Sequence, residues 1–208
     1  MKKWQKYLKY LETGDWHVHT RYTDGRNSVP EMCRQAQTNG LKLIAFTEHV
    51  RKELSYDFGR LVKDVKSARK KFPKLKILVG CEAKVTDSLG SLDVSKEVME
   101  KCDIVLGTFH TFPCKNKAEL ENALINMIKN PDVDIWTHPI TFFQKCPMRE
   151  KDVYKIIKLC IKNNVLIENN IKPRYHSQRF IDVCRNMGAK IVTGSDAHGI
   201  EELRMIKN

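Results

Sequence analysis

The 208-residue sequence predicts a seven-unit β/α barrel. Short apolar runs alternate with helical patterns along the whole chain, and that alternation implies a parallel sheet. The pattern repeats seven times without reversal, which favours a closed or nearly closed barrel, with an open doubly wound sheet as the alternative. An eight-unit barrel usually takes about 250 residues, so this length suits seven units better.

Taken in order, the strand candidates are 15–19 (DWHVH), 43–49 (LIAFTEH), 76–85 (KILVGCEAKV), 104–110 (IVLGTFH), 134–139 (DIWTHP), 165–170 (VLIENN) and 190–195 (KIVTGS). Helical patterns fall near 29–39, 59–71, 94–101, 117–129, 150–163 and 177–187, with a short one from about 200. Ser28-Val29-Pro30-Glu31 reads as a capping box with proline in the first turn. Gly40 and Gly188 fall where helices should stop. Lys155, Ile156, Leu159, Cys160 and Asn163 give a one-faced stripe, widened by Ile157 and Ile161. Residues 1–13 form a separate basic amphipathic extension, and 14–208 a single barrel domain. In the extension Trp4, Leu8 and Leu11 share a helical face among Lys2, Lys3, Lys6 and Lys9, which suggests a helix docked on the barrel, with nucleic-acid or partner contact as the alternative.

Composition narrows the class. Hydrophobic content of 41% and charged content of 30% suit a soluble globular chain. No apolar run approaches the roughly 20 residues of a membrane span, and the basic start lacks the apolar stretch of a signal peptide. Seven cysteines, an odd number without a Cys-x-x-Cys pair, read as small buried side chains in a reducing cytoplasm. The net charge of +12 attracts polyanions and steers anionic substrates.

The histidines carry the function. His17, His19, His49, His110 and His138 lie at the C-terminal ends of strand candidates, and His198 just beyond the last. Active sites of β/α barrels form at that end. Asp24, Glu82 and Asp196 join them there. Residues i and i+2 of a strand share a face, so His17 and His19 can grip one metal ion. Structural histidines placed independently would not collect at one end of successive strands. A metal site follows, and imidazole with carboxylate suits zinc, manganese or iron rather than calcium or magnesium.

The ordered series H-x-H-x4-D, T-E-H, G-C-E, G-T-F-H, T-H-P, E-N-N and G-S-D-A-H resembles the polymerase and histidinol phosphatase (PHP) family of metal-dependent phosphoesterases over about residues 14–206. TDGRNSVPEM, GSLD and the Pro173-Arg174 pair are most similar to the PHP domain of bacterial family X DNA polymerases, although no polymerase domain is present. The resemblance implies a distorted (β/α)7 barrel holding three divalent metal ions. His17, His19, Glu82 and Asp196 would hold the first, and Glu82 would bridge to a second held by His110 and His138. Asp24, His49 and His198 would hold the third. Glu48 would orient a ligand or a water. Glu82, Asp196 and His198 would serve catalysis, with Arg174 as a phosphate clamp and Arg21 or Lys84 as further cations. Hydroxide formed at the metals would attack a phosphoester in line, with no covalent enzyme intermediate.

Three functions follow. A phosphatase for a small phosphomonoester, such as histidinol phosphate, or for a nucleotide fits a lone barrel-mouth site. A 3′–5′ exonuclease or end-processing enzyme fits the basic charge. A non-catalytic metal-binding scaffold is disfavoured by the complete ligand set.

Overall fold

The computed structural model describes residues 1–112 and 116–206. Seven strands, β1 (Gly14–Val18), β2 (Leu43–His49), β3 (Lys76–Lys84), β4 (Ile104–Thr108), β5 (Ile135–Trp136), β6 (Leu166–Asn170) and β7 (Ile191–Gly194), pair in parallel in chain order. A Val18–Ala197 bridge brings β7 back onto β1. The helices are α1 (Val29–Thr38), α2 (Phe58–Lys71), α3 (Lys96–Lys101), α4 (Lys117–Lys129), α5 (Pro139–Lys145), α6 (Glu150–Lys162) and α7 (Gln178–Asn186). The expected fold is present. Among the described residues no helix is long and apolar enough to cross a membrane.

Side-chain alternation divides the core. Trp16, Leu43, Ala45, Leu78, Ile104, Leu106, Ile135, Leu166 and Val192 form one buried cluster inside the barrel. Val18, Phe46, Val79, Val105 and Ile167 point the other way, into the layer under the helices. A register shift between Asp15 and Val18 lets Trp16 fill the interior while His17 still faces inward above it.

Local signals act as read. The Ser28 N–H donates to Glu31 Oε2 at 2.8 Å, and Gly40 and Gly188 take φ of +79° and +81° after α1 and α7. The α6 stripe is narrower than expected: Ile156, Ile157 and Cys160 are buried, whereas Lys155 and Ile161 are exposed. Six cysteines are buried; Cys114 lies outside the described residues. Strand 134–139 shrinks to two residues, because the Asp134 carboxylate accepts the Trp4 and Val105 N–H groups and Pro139 begins α5, a helix absent from the sequence reading.

The start of the chain stoppers the barrel. Lys3–Tyr10 is a 3₁₀ helix kinked at Tyr7, and its period of three places Trp4 and Tyr7, not Trp4 and Leu8, on the buried face. Both rings join the interior cluster, while Leu8 is exposed. Lys2 Nζ donates to Asn130 O (2.8 Å) and Val133 O (2.6 Å), and Lys3 Nζ to Met99 O (2.6 Å) and Cys102 O (3.1 Å). Two of the four N-terminal lysines thus tie down the chain after α4 and α3.

Asp15 secures the seam. Its buried carboxylate accepts the Ser195 N–H at 2.9 Å and the Arg204 N–H at 3.2 Å. Asp15→Ala should cost about 2–4 kcal/mol in a urea melt, because the buried Ser195 N–H and the half-buried Arg204 N–H both lose their acceptor. An unchanged midpoint would mean that water replaces the carboxylate.

Candidate metal centre

Along the strands the interior passes from apolar to polar. At the C-terminal ends the inward positions are His17 on β1, His49 on β2, Glu82 on β3 and Glu168 on β6. His19, His110, His138, Asp196 and His198 lie just past their strands, and Asp24 comes from the β1–α1 loop. All nine residues read from the sequence as metal ligands converge on this mouth. Alternation would turn His138 outward after the inward Thr137; a left-handed backbone (φ 51°, ψ 46°) brings it in. Asp196 has φ 52° as well, so two of the nine sit in a conformation that non-glycine residues seldom adopt.

Three groups of donor atoms meet. His17 Nε2 and His19 Nε2 are 3.1 Å apart, Glu82 Oε2 lies 3.6 and 3.8 Å from them, and Asp196 Oδ1 3.9 and 3.5 Å. The other Glu82 oxygen, Oε1, is 3.3 Å from both His110 Nε2 and His138 Nε2. Asp24 Oδ2 lies 3.3 Å from His49 Nε2 and 3.4 Å from His198 Nε2, with His19 also close to this group. His49 Nδ1, 2.9 Å from Glu82 Oε2, links the third group to the first.

Three of the polar atoms at this mouth are left without a hydrogen bond. Glu82 Oε2, His138 Nε2 and His19 Nδ1 are buried without a hydrogen-bond partner, although carboxylate and imidazole atoms crowd Oε2 and Nε2. Buried polar atoms that approach closely without hydrogen-bond alignment suit a cation between them. The residues therefore fit divalent ions.

Neighbours set the tautomers. Glu168 Oε1 accepts from His17 Nδ1 at 2.6 Å, which leaves Nε2 as the free lone pair toward His19 and Glu82. Its Oε2 accepts the His138 backbone N–H at 2.7 Å. His198 Nδ1 donates to Asp196 O at 2.8 Å and so turns its Nε2 lone pair to Asp24. Burial opposes charge on His17, His19, Glu82 and His110. At His17 the carboxylates of Glu168 and Glu82 outweigh burial and raise the imidazole well above its usual value. Burial holds His19 and His110 down to about 4. At Glu82 the imidazoles of His17, His138 and His49 outweigh burial and hold the carboxyl well below its usual range.

Some expectations change. Glu48 faces away from the mouth. Its carboxylate accepts from Thr20 N (2.9 Å), Thr20 Oγ1 (2.6 Å) and Thr23 Oγ1 (2.5 Å), so it acts on the candidate ligand Asp24 at one remove, by bracing the loop that carries it. Burial raises it to about 7 against those hydrogen bonds. Arg21 is exposed and paired with Glu31 at 2.9 Å. Arg174 is exposed and stacks 4.5 Å from the Tyr175 ring centroid, and that ring lies 5.0 Å from His138. Lys84 lies at the end of β3, its ammonium lowered by burial and by Arg51.

Sequence reasoning missed Glu168 and Lys172. Lys172 Nζ lies 3.3 Å from Asp196 Oδ2 and 3.6 Å from Glu202 Oε2. Glu168 was visible as the glutamate of E-N-N two positions after inward Leu166; only the fold shows that His17 and His138 depend on it.

Comparisons with known proteins place the chain in a family. The PHP domain family matches residues 15–155. A relative from Acetivibrio thermocellus that carries the name "probable phosphatase" is 30% identical over 200 residues, covering 88% of this chain and 78% of its own. The DNA polymerase/3′-5′ exonuclease PolX of Bacillus subtilis is 27% identical over 203 residues, covering 93% of this chain but 35% of its own. A histidinol phosphate phosphatase from Lactococcus lactis, solved with zinc, L-histidinol and phosphate, shares the fold with a TM-score of 0.69 at 17% identity, covering 91% of this chain and 87% of that one. The chain belongs to the PHP-domain family and is a metal-dependent phosphoesterase.

Proposed function

We propose that the protein is a phosphomonoesterase that works with three divalent ions of the zinc, manganese or iron class on a small phosphorylated molecule. The observation that carries this reading is Glu82. One of its oxygens faces His17, His19 and His49, and the other faces His110 and His138. A third set, Asp24, His49 and His198, stands beside them. When bound, such ions act as Lewis acids on a phosphoryl oxygen and acidify water toward neutrality.

The chain's own residues do the rest. Glu168 keeps the His17 proton on Nδ1. Glu48 and the Thr20–Thr23 loop hold Asp24 in reach of His49 and His198. Lys172 and Arg174 supply positive charge at the mouth for the phosphate oxygens, Lys172 the nearer to the donor sets. Histidinol phosphate is a candidate substrate, because the Lactococcus lactis neighbour was solved with its two hydrolysis products. An exonuclease acting on nucleic-acid ends is the second reading, supported by the PolX relative.

The test is turnover of an aryl phosphate and of a single-stranded oligonucleotide by protein reconstituted with manganese or zinc, with bound metal counted by mass spectrometry. Phosphate release with three ions per chain is expected, and a chelator should abolish it. Oligonucleotide shortening without aryl phosphate turnover would replace the phosphatase reading with the nuclease one.

Acid should strip the site. Metal binding needs neutral imidazoles. Against the opposing effect of burial, carboxylates raise His17, His49 and His138 above 6.5 in the metal-free protein, so protons compete with metal from above that value downward. Metal affinity should therefore fall with falling pH already above pH 6.5, earlier than the value of about 6 that ordinary histidines would give. Calorimetric titration of metal across pH 6–8 checks this; an affinity flat over that range would contradict it.

A further inference from the structure

We propose that the barrel end opposite the metal centre is a docking surface for the phosphate backbone of nucleic acid, separate from the site of hydrolysis. All seven strands start at this end, and the helices between them finish there. Their last turns carry Arg69, Lys70 and Lys71 on α2, Lys101 on α3, Lys129 on α4, Lys162 on α6 and Arg185 on α7. Cations at helix C-termini complement the macrodipole, so that ring alone needs no partner.

Four further lysines are not explained this way. Lys6 lies in the 3₁₀ stopper, and Lys42, Lys74 and Lys190 lie in the turns that lead into β2, β3 and β7. All four are exposed, and among the described residues none has a carboxylate within ion-pair distance. Backbone hydrogen bonds from Lys42 N to Thr13 O (3.0 Å) and from Lys76 N to Lys42 O (2.9 Å) fix this edge beside the N-terminal segment. Two carboxylates at this end are already used: Asp103 pairs with Arg69 at 2.6 Å, and Asp134 is buried beneath Trp4. Glu12, Glu100 and Asp132 remain exposed there.

At the mouth, several cations are neutralised instead. Arg21 pairs with Glu31, Arg26 with Glu201 and Glu202, and Arg51 with Asp93, while at the stoppered end Lys101 pairs with Glu97 and Arg185 with Asp182. Lys6, Lys42, Lys74 and Lys190 are left at the stoppered end as exposed cations without an ion pair among the described residues.

The face suits a chain of phosphates better than a bilayer. A membrane-seated helix needs exposed apolar and aromatic side chains, and Trp4 and Tyr7 are spent inside the barrel. Leu8 is left as the exposed large apolar residue of the 3₁₀ helix. A strand held here lies across the barrel from Glu82, so binding and hydrolysis separate.

The test uses metal-loaded full-length protein and a fluorescent phosphorothioate duplex of about 30 base pairs, followed by anisotropy from about 50 to 200 mM salt. Binding should weaken linearly in log–log form. The variant carrying Lys6→Gln, Lys42→Gln, Lys74→Gln and Lys190→Gln should bind at least about tenfold more weakly and lose about one unit of slope for each lysine that meets a phosphate. Its metal content and aryl phosphate turnover should match the parent's, and saturating duplex should leave the parent's turnover unchanged. Equal binding by the variant would overturn the proposal, as would inhibition of turnover by the duplex, which would put the strand at the mouth. Binding to phosphatidylserine vesicles but not to the duplex would replace nucleic acid with a membrane. The binding measurement stands whether or not the protein hydrolyses aryl phosphate.

Discussion

Glu82→Gln should remove at least about 10³ of kcat/KM, near 4 kcal/mol of transition-state stabilisation, and release bound metal. Glutamine keeps the shape of the side chain but loses the charge, and its amide nitrogen cannot act as the second carboxylate oxygen. Both Glu82 oxygens are committed to different histidine groups, so no conformation of glutamine satisfies both. The metal-free protein should also lose stability at pH 7, because the carboxylate that favours protonated His17 and His138 is gone. Metal analysis beside kinetics separates the effects. A variant with full metal content and activity within tenfold of the parent would rule out Glu82 as the shared ligand.

Gly194→Ala should also be damaging, although it replaces no proposed ligand. A Cβ at this position would fall on Glu168 Oε1 and within 2.7 Å of His17 Cβ. The backbone there is not left-handed, so the constraint is space rather than conformation. Glu168 would have to withdraw from His17 Nδ1, which frees the ring to rotate. Loss of a partner that orients a metal-bound histidine typically costs about 10–100-fold in metal affinity or activity. Overpacking adds about 1–3 kcal/mol of instability. Metal affinity and a urea melt should both shift; a melt shifted alone would show that Glu168 stays on His17 despite the methyl group. Glu168→Gln is the companion change, expected to weaken metal binding with little effect on the melt.

The legible parts of this protein were periodic or local. Seven strands announced themselves by short apolar runs, and the nine candidate ligands by their shared place at the ends of those runs. His17 and His19 could be paired from strand geometry alone. Residues whose importance lies in a distant partner stayed hidden. Glu168 reads as one acid in a strand until β6 is set against β1. Asp15 looks like a strand-edge residue until its carboxylate meets Ser195 and Arg204. Lys172 reads as a loop cation until it reaches Asp196. Gly194 carries no side chain to notice. Glu48 points away from its neighbour His49, as neighbours on a strand do, and so reaches Asp24 through Thr20 and Thr23. The N-terminal helix was misread because a period of 3.6 was assumed where the chain takes three residues per turn.

The stopper also sets an order of events for the newborn chain. Trp4 donates its backbone N–H to Asp134 and its indole N–H to Asn164 O, partners more than half the sequence away. Those positions leave the ribosome long after the tryptophan does. Until they arrive, two large aromatic rings have no interior to enter, and the early strands have no floor. Contacts of such sequence separation slow folding and prolong exposure of apolar surface. The piece of the barrel made first is therefore among the last that can be seated, and a bulky fusion next to residue 2 would hinder the closing step.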